Sequence, residues 1–436
     1  MTPLPIEMKS LLLPLLTVFI WIVPMAFSAP PTRDRLPNII FILTDDLGYN
    51  EIGAYGQDKI KTPNLDRVAR EGMMFTQFYA GAPVCATSRS VLMTGQHSGH
   101  TRVRGNSFPE DNGRQELLAE DVTVAEVLKD AGYATACIGK WGLGMPGTGG
   151  HPNRKGFDLF YGYLSQHHAH NYYPTFLWRN EEQFGLPNVV RPMGNGALYG
   201  AGVATEKNVY APDLFAEEAL SFIDANKDHP FFLYFATNVP HSNNEATKIR
   251  RADGAEVPDF GIYEKEDWML GSKRHAAMIT RMDRDIGAML DRLEAHGIAD
   301  NTIVIFTSDN GPHEDHAEPK DFFEPARPLR GWKMNLWEGG IRVPFIVRWP
   351  ETIQGGTVSD EVGYFGDIMA TFAEITGQPV PEQTDSLSVL PVWEGRAAER
   401  EVHEFLYWEF WGKDTGVVAI LDGRWKGIIR RKAPDH

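Results

Sequence analysis

Cysteine is almost absent from this 436-residue chain, which holds only Cys85 and Cys137. One bridge between them is the most that disulfide chemistry can contribute. Excess positive charge is also missing. The 42 basic residues face 58 acidic ones, leaving a net charge of −16. That balance argues against non-specific nucleic-acid binding. It leaves open an anionic small substrate, because a local cationic pocket overrides the global field. No internal repeat is visible. The hydrophobic fraction of 42% and charged fraction of 23% are ordinary for a globular chain with a sizeable core.

A long uncharged apolar run occurs once at the N-terminus, Leu11–Phe27, after Lys9 and before Ala26-Phe27-Ser28 gives way to Ala29. A charged start, an apolar middle and small residues at the end read as a secretory signal over residues 1–28. The rival is an uncleaved anchor, against which Pro14, Pro24 and the short run count. No cysteine follows the run, which argues against a lipid-modified N-terminus. The protein is therefore expected to be exported, periplasmic or secreted. Membrane contact is expected only through this segment.

Beyond it, apolar runs of strand length alternate with helical periodicity. Asn38–Leu43, Tyr133–Ile138, Phe231–Ala236, Thr302–Thr307 and Val343–Arg348 are continuously apolar, as in a sheet covered on both faces. Helical patterns lie between them, the longest over Arg274–His296, with Asp283 and Asp285 expected on its solvated face. The predicted fold is α/β: a large, doubly wound, mostly parallel sheet sandwiched by helices. Residues 33–395 form this unit, and 396–436 begin a small C-terminal antiparallel subdomain with a hairpin at Asp422-Gly423. Gly149–Tyr210, rich in Gly, Asn, Tyr and His, reads as a long loop or insertion over one sheet edge.

The polar residues at the strand ends carry the chemistry. Asn38–Leu43 runs into Thr44-Asp45-Asp46-Leu47-Gly48, and Thr302–Thr307 into Ser308-Asp309-Asn310-Gly311. Two further runs lead to Lys140 and His241. In an open parallel sheet, ligands sit beyond the carboxyl ends of the strands. Parallel strands would bring Asp45, Asp46, Asp309, Asn310, Lys140 and His241 to one rim. Carboxylates gathered there repel unless a cation joins them. Oxygen donors without sulfur or imidazole favour Ca²⁺, then Mg²⁺, over Zn²⁺. Asp45 and Asp46 can share an ion only where the strand has ended, with Gly48 expected to permit that turn. Each motif alone would also suit an ordinary turn.

Cys85 lies in Gly81–Gly95, "GAPVCATSRSVLMTG". This reads as a loop entering a helix, with Thr87 or Ser88 as caps and Arg89 one turn beyond the cysteine. Unpaired N–H donors at such a start favour an anion. A thiol there is expected to have a lowered pKa and to be reactive. A Cys–His hydrolase, however, has no use for the oxygen-rich cluster.

At this point the chain resembles the type I sulfatase family of the alkaline-phosphatase-like superfamily. The resemblance runs from about Asn38 to the end of the chain. It rests on "NIIFILTDDLGYNEIGAYG", "KTPNLDRVAREGMMFTQFYAGAPVCATSRSVLMTGQHSGH", "GYATACIGKWGLG", "FTSDNG" and "RGWKMNLWEGGIRVPFIVRWP". It implies an enzyme, a sulfuric ester hydrolase of arylsulfatase type, acting on a sulfated small molecule or saccharide. It implies that a formylglycine-generating enzyme oxidises Cys85 to formylglycine, whose hydrate provides the nucleophile. Asp45, Asp46, Asp309 and Asn310 would bind one Ca²⁺ beside residue 85. Arg89 would orient the formylglycine, Asp309 would accept a proton, and Lys140, His241 and Lys333 would hold sulfate or assist the leaving oxygen. Two positions depart from the family. Thr87 stands where Pro or Ala is usual, and Gly142 where many members have a histidine base. His167, His168 and His170 are the candidate replacements. The alternatives are a phosphomono- or diesterase of the same superfamily, and a catalytically impaired homologue that binds sulfated glycans.

Overall fold

The computed structural model describes residues 1, 35–106, 116–194, 197, 199–250, 253–313, 321–411 and 415–432. The expected leader over 1–28 lies outside the described residues, apart from Met1. In chain order the strands are β1 (Asn38–Asp45), β2 (Met73–Tyr79), β3 (Ala134–Lys140), β4 (Leu159–Tyr163), β5 (Phe176–Arg179), β6 (Glu182–Gly185), β7 (Val189–Pro192), β8 (Gly202–Glu206), β9 (Phe231–Pro240), β10 (Thr302–Ser308), β11 (Arg342–Arg348), β12 (Thr357–Tyr364), β13 (Leu406–Trp411), β14 (Thr415–Asp422) and β15 (Trp425–Lys432).

A ten-stranded sheet runs in the order β12-β2-β11-β10-β1-β9-β3-β4-β5-β6. Its centre, β10-β1-β9-β3-β4, is wholly parallel. The continuously apolar sequences of these strands have a direct cause: alternate side chains enter two separate cores. Ile39, Phe41 and Leu43 pack with the helices Cys85–Thr94, Val124–Asp130 and Asp367–Thr376. Ile40 and Ile42 pack with Pro63–Glu71, Ala211–Asn226 and Leu270–Ala295 on the other face. A sheet buried on both sides has no polar alternation to show.

The flanks differ from the centre. β11 runs antiparallel to both β10 and β2, so its polar end does not join the rim formed by its neighbours. Gly149–Tyr210 is more than a loop over an edge. It supplies β4 to β6, which complete the sheet, and the β7–β8 hairpin. These strands are only four or five residues long, too short to show a period in the sequence.

The small sheet β13-β14-β15 is antiparallel, turning at Gly423-Arg424 between the paired residues Asp422 and Trp425. It is tied to both ends of the Cys85 helix region. The buried Trp408 indole donates to the Ala80 carbonyl at 2.9 Å, and the Glu409 amide donates to Ser98 Oγ at 2.8 Å. Among the described residues, no helix is long and apolar enough to cross a membrane.

Asp283 and Asp285 are not on a solvated face; both are buried. The Asp283 carboxylate accepts from Leu65 N at 2.7 Å, Asn64 N at 3.1 Å and Asn64 Nδ2 at 2.9 Å. It thereby caps the helix Pro63–Glu71 from 218 residues away, where the Thr62 side chain makes no cap bond. Helix periodicity cannot reveal such a partner, because it comes from another element. Asp285 is instead held by the Arg284 guanidinium at 2.6 Å. Removing a buried acceptor strands its donors. Asp283→Ala is expected to lower stability by about 2 kcal/mol, with Asp283→Asn recovering part of that loss; urea denaturation checks both.

Candidate active site

β1 ends at Asp45, and Asp46 follows in the left-handed region with φ of 68°. This turn brings two successive carboxylates to one place, at 3.2 Å and 3.8 Å from Cys85 Sγ. The conformational work is done by Asp46, not by Gly48. Asp tolerates a positive φ better than most residues. Gly48 serves a close approach: a Cβ there would lie 2.3 Å from the Pro325 carbonyl oxygen. The neighbouring strand end is locked to the first. The amide of Asp309 donates to Thr44 O at 3.0 Å, and those of Asp46 and Leu47 donate to Asp309 Oδ1 and Ser308 Oγ at 3.2 Å and 2.9 Å.

Each buried carboxylate carries a cationic partner. Lys140 Nζ, at the end of β3, donates to Asp45 at 2.6 Å. Lys333 Nζ donates to Asp46 at 2.7 Å and lies 3.4 Å from Cys85 Sγ. Arg89 donates to Asp309 Oδ2 from Nε at 3.0 Å and from Nη2 at 2.8 Å, and its Nη1 donates to the Lys140 carbonyl at 2.6 Å. Side-chain cations thus answer much of the repulsion expected among the acids. Burial opposes ionisation of Asp45, but the cations Lys140, Arg89 and Lys333 hold its carboxyl well below the usual range. Asp46 is lowered in the same way, burial being opposed chiefly by Lys333. Asp309 behaves oppositely: burial and the adjacent Asp45 push it up to about 6.

The helix Cys85–Thr94 begins at Cys85 itself, with Val84 as N-cap. Neither Thr87 nor Ser88 caps it. Ser88 Oγ accepts from the Gly81 amide at 3.1 Å, and Thr87 Oγ1 is buried with no partner among the described residues. Asn106 Oδ1 accepts from the Ala86 amide at 2.9 Å, so a later loop closes the helix start. Arg89 lies one turn on, as the spacing predicts. The thiol is not activated. Burial, Asp309 and Asp45 raise the Cys85 pKa well above the ordinary value, so the carboxylates overcome the helix end. Cys85 and Cys137 are both free, which removes the expected alternative of a bridge.

His241 follows β9. Its Nδ1 faces the Ser242 carbonyl at 2.6 Å and must carry the proton there. Nε2 therefore presents a lone pair to Lys333 Nζ at 3.2 Å. Burial and Lys333 push its pKa well below the usual value, so the ring is neutral. The candidate histidines separate. His168 packs among Tyr163 and Phe176, and burial holds it down to about 3. His170 is brought to the cluster, its ring stacked on His241 with centroids 4.8 Å apart. His167 stands 5.4 Å from the His170 ring. Gly142 has φ of 78°, and a Cβ there would fall 1.8 Å from Gln166 Nε2. Gln166 therefore occupies the space into which a side chain at 142 would grow.

Other polar residues around the site act as supports. Arg342 pairs with Glu338 and donates to Thr76 O, while the Arg330 guanidinium lies over the Trp337 ring at 3.9 Å. Arg102 and Arg104, after the Cys85 helix, are engaged by Asp121 and Glu409. His313 approaches the His241 ring at 6.0 Å. Glu245, which holds His170, escaped sequence reasoning. Its only signal was the start of a short helix after His241.

The cluster can hold a metal. Ligating atoms of Asp45, Asp46, Cys85 and His241 lie within 4.8 Å of one another. Asn310 supplies a separate indication. Its Nδ2 donates to Asp46 Oδ1 at 2.7 Å and Gly311 O at 2.9 Å, yet its Oδ1 is buried with no partner among the described residues. A buried acceptor left unmatched is costly, and a hard cation would satisfy it together with the adjacent carboxylates.

Comparison with known proteins agrees with this arrangement. The Sulfatase family model matches residues 37–378, and that of the N-sulphoglucosamine sulphohydrolase C-terminal region matches 331–430. The chain is 32% identical over 412 residues to an arylsulfatase of Hemicentrotus pulcherrimus, spanning 90% of this chain and 67% of that protein. It is 30% identical to the N-acetylgalactosamine-6-O-sulfatase of Bacteroides thetaiotaomicron, spanning 92% and 84%. The solved structure of Ps i-CgsB in complex with k-i-k-neocarrahexaose superposes with a TM-score of 0.72 at 26% identity, over 92% of this chain and 84% of that one. With the strand-end cluster and the fold, these matches establish that the chain belongs to the sulfatase family, enzymes that hydrolyse sulfuric esters.

Proposed function

We propose that this protein is an exported, Ca²⁺-dependent sulfatase that removes sulfate from a monoester on a carbohydrate, using formylglycine made from Cys85. The observation that carries the reading is the position of Cys85 Sγ, between Asp45 at 3.2 Å and Lys333 Nζ at 3.4 Å, at the first residue of its helix. Ordinary thiol catalysis does not suit that position, since the thiol is held neutral. An oxygen function there suits it well. A formylglycine-generating enzyme is the maturation partner, and the apolar run Leu11–Phe27 supports export. The carbohydrate class is supported by relatives named as saccharide sulfatases and by the neocarrahexaose complex.

Asp45, Asp46, Asp309 and Asn310 would hold the calcium ion. When bound, the ion supplies positive charge to sulfate oxygens, and the aldehyde hydrate supplies the oxygen nucleophile. Lys140 and Lys333 bring two ammonium groups to the same anion. Arg89 fixes residue 85 by tying its helix to Asp309 and to the Lys140 carbonyl. Asp309 Oδ1 already accepts from the Asp46 amide, and Oδ2 from Arg89, so any proton it takes competes with these bonds. Lys333 Nζ is placed to protonate the departing alcohol oxygen, and the lone pair on His241 Nε2 keeps that ammonium oriented at 3.2 Å.

A second reading, an impaired homologue that binds sulfated glycans, draws on Gly142, where Gln166 fills the space a base would need. One assay decides. Matured wild-type protein is expected to release sulfate from a sulfated sugar and to leave the matching phosphate ester nearly untouched. Cys85→Ala is expected to lower the rate at least about 1,000-fold. Equal rates for the two proteins would remove the catalytic claim. Mass spectrometry of the peptide containing Cys85 is expected to show loss of sulfur and gain of an aldehyde after co-expression with the maturation enzyme. An intact thiol there would contradict the proposed nucleophile.

A further inference from the structure

The His170 and Glu245 side chains are both buried, and His170 Nδ1 lies 3.1 Å from Glu245 Oε2. The His170 ring is almost parallel to that of His241, with an interplanar angle of 9°. His241 itself is secured at one ring edge, through Nδ1 to the Ser242 carbonyl. That bond, to its own neighbour in sequence, holds an edge of the ring and leaves its faces unsupported. At its other edge Nε2 meets Lys333 Nζ at 3.2 Å and lies 3.3 Å from Asp46 Oδ2, contacts that again hold an edge and not a face. The plane of His241 therefore needs a surface to rest on. His313 is farther away and inclined at 36°, so it does not supply one.

The surface that His170 offers is firmly mounted. Ala169 O accepts from Asn238 Nδ2 at 2.8 Å. The Tyr172 hydroxyl reaches the carbonyl oxygens of Asn238 at 2.7 Å and His241 at 2.6 Å. Asn243 Oδ1 accepts from the Glu245 amide at 3.1 Å, fixing the residue that holds His170. Both rings are thus attached to the end of β9. A histidine serves here because its edge can be fastened by Glu245 while its face stacks.

We propose that His170, fastened by Glu245, is a positioning residue that sets the imidazole plane of His241 and so aims Nε2 at Lys333. The inference rests on the hydrolase reading of the site. A ring misaimed by a fraction of an ångström weakens proton transfer more than it weakens binding of the sulfate group.

The test uses matured full-length protein, a sulfated sugar, and the variants His170→Ala, His170→Phe and Glu245→Gln. His170→Ala loses stack and bond, and is expected to lower kcat about tenfold or more with KM within about twofold. His170→Phe keeps the stack but loses the bond to Glu245, and is expected to lower kcat about three- to tenfold, less than His170→Ala. Glu245→Gln is expected to lower kcat about three- to tenfold. Unchanged kcat in His170→Ala, or equal losses for Phe and Ala, would overturn the inference. Should His170→Ala fail to fold, as judged by circular dichroism, unchanged kcat in Glu245→Gln overturns it alone. A second readout needs no turnover. In ¹⁵N-histidine-labelled protein, His241 is expected to show one Nδ1–H tautomer in wild type and exchange-broadened signals in His170→Ala. Identical His241 signals in both would count against the positioning role even if no sulfate ester were hydrolysed. Absence of hydrolysis by wild type, with the signals changing as expected, would instead count against the hydrolase reading.

Discussion

Buried opposite charges at the carboxyl ends of parallel strands are the constraint on which this site depends. Asp45, Asp46 and Asp309 are removed from water, as are Arg89 and Lys140. Isolated, each would be severely penalised. Paired, they form a network in which loss of one partner leaves an uncompensated charge, at a cost of about 3–5 kcal/mol. The network also dictates local conformation. Asp46 adopts its left-handed turn because both neighbouring carboxylates must reach the cluster, and Arg89 draws the Cys85 helix onto the same point. Such a site is stiff before any substrate arrives, which is what electrostatic stabilisation of a developing charge requires.

Much of this was legible in the sequence because the polar residues end apolar strands. Asp45, Lys140 and His241 stand at or just beyond β1, β3 and β9, and the parallel centre of the sheet brings them together. Lys333 was not legible in that way. It comes from a loop far along the chain, and only resemblance to a family singled it out. The thiol of Cys85 misled for an electrostatic reason. A helix start alone would lower its pKa, but the carboxylates that share its pocket are remote in sequence. Asp283 misled similarly: its helix face was read as solvated, whereas its partners, Asn64 and Leu65, belong to another helix.

The segment Gly149–Tyr210 shows where sequence patterns stop being informative. Its short strands extend the sheet, and its residues Gln166 and His170 reach the active-site wall. Gly142 and Gln166 are a steric pair, since the glycine makes room for the carboxamide. Neither residue explains the other until the fold places them side by side. The chemistry near Lys140 is thus shaped by a region whose composition suggested only a loop.

The Asp45 and Asp46 carboxylates and the unmatched Asn310 oxygen are groups that a hard cation would join. Calorimetric titration of Ca²⁺ into chelator-stripped full-length protein tests this directly. The account predicts one ion bound per chain, with affinity at least about tenfold weaker in Asn310→Ala. No saturable heat in the wild type, or binding of the same strength in Asn310→Ala, would contradict it.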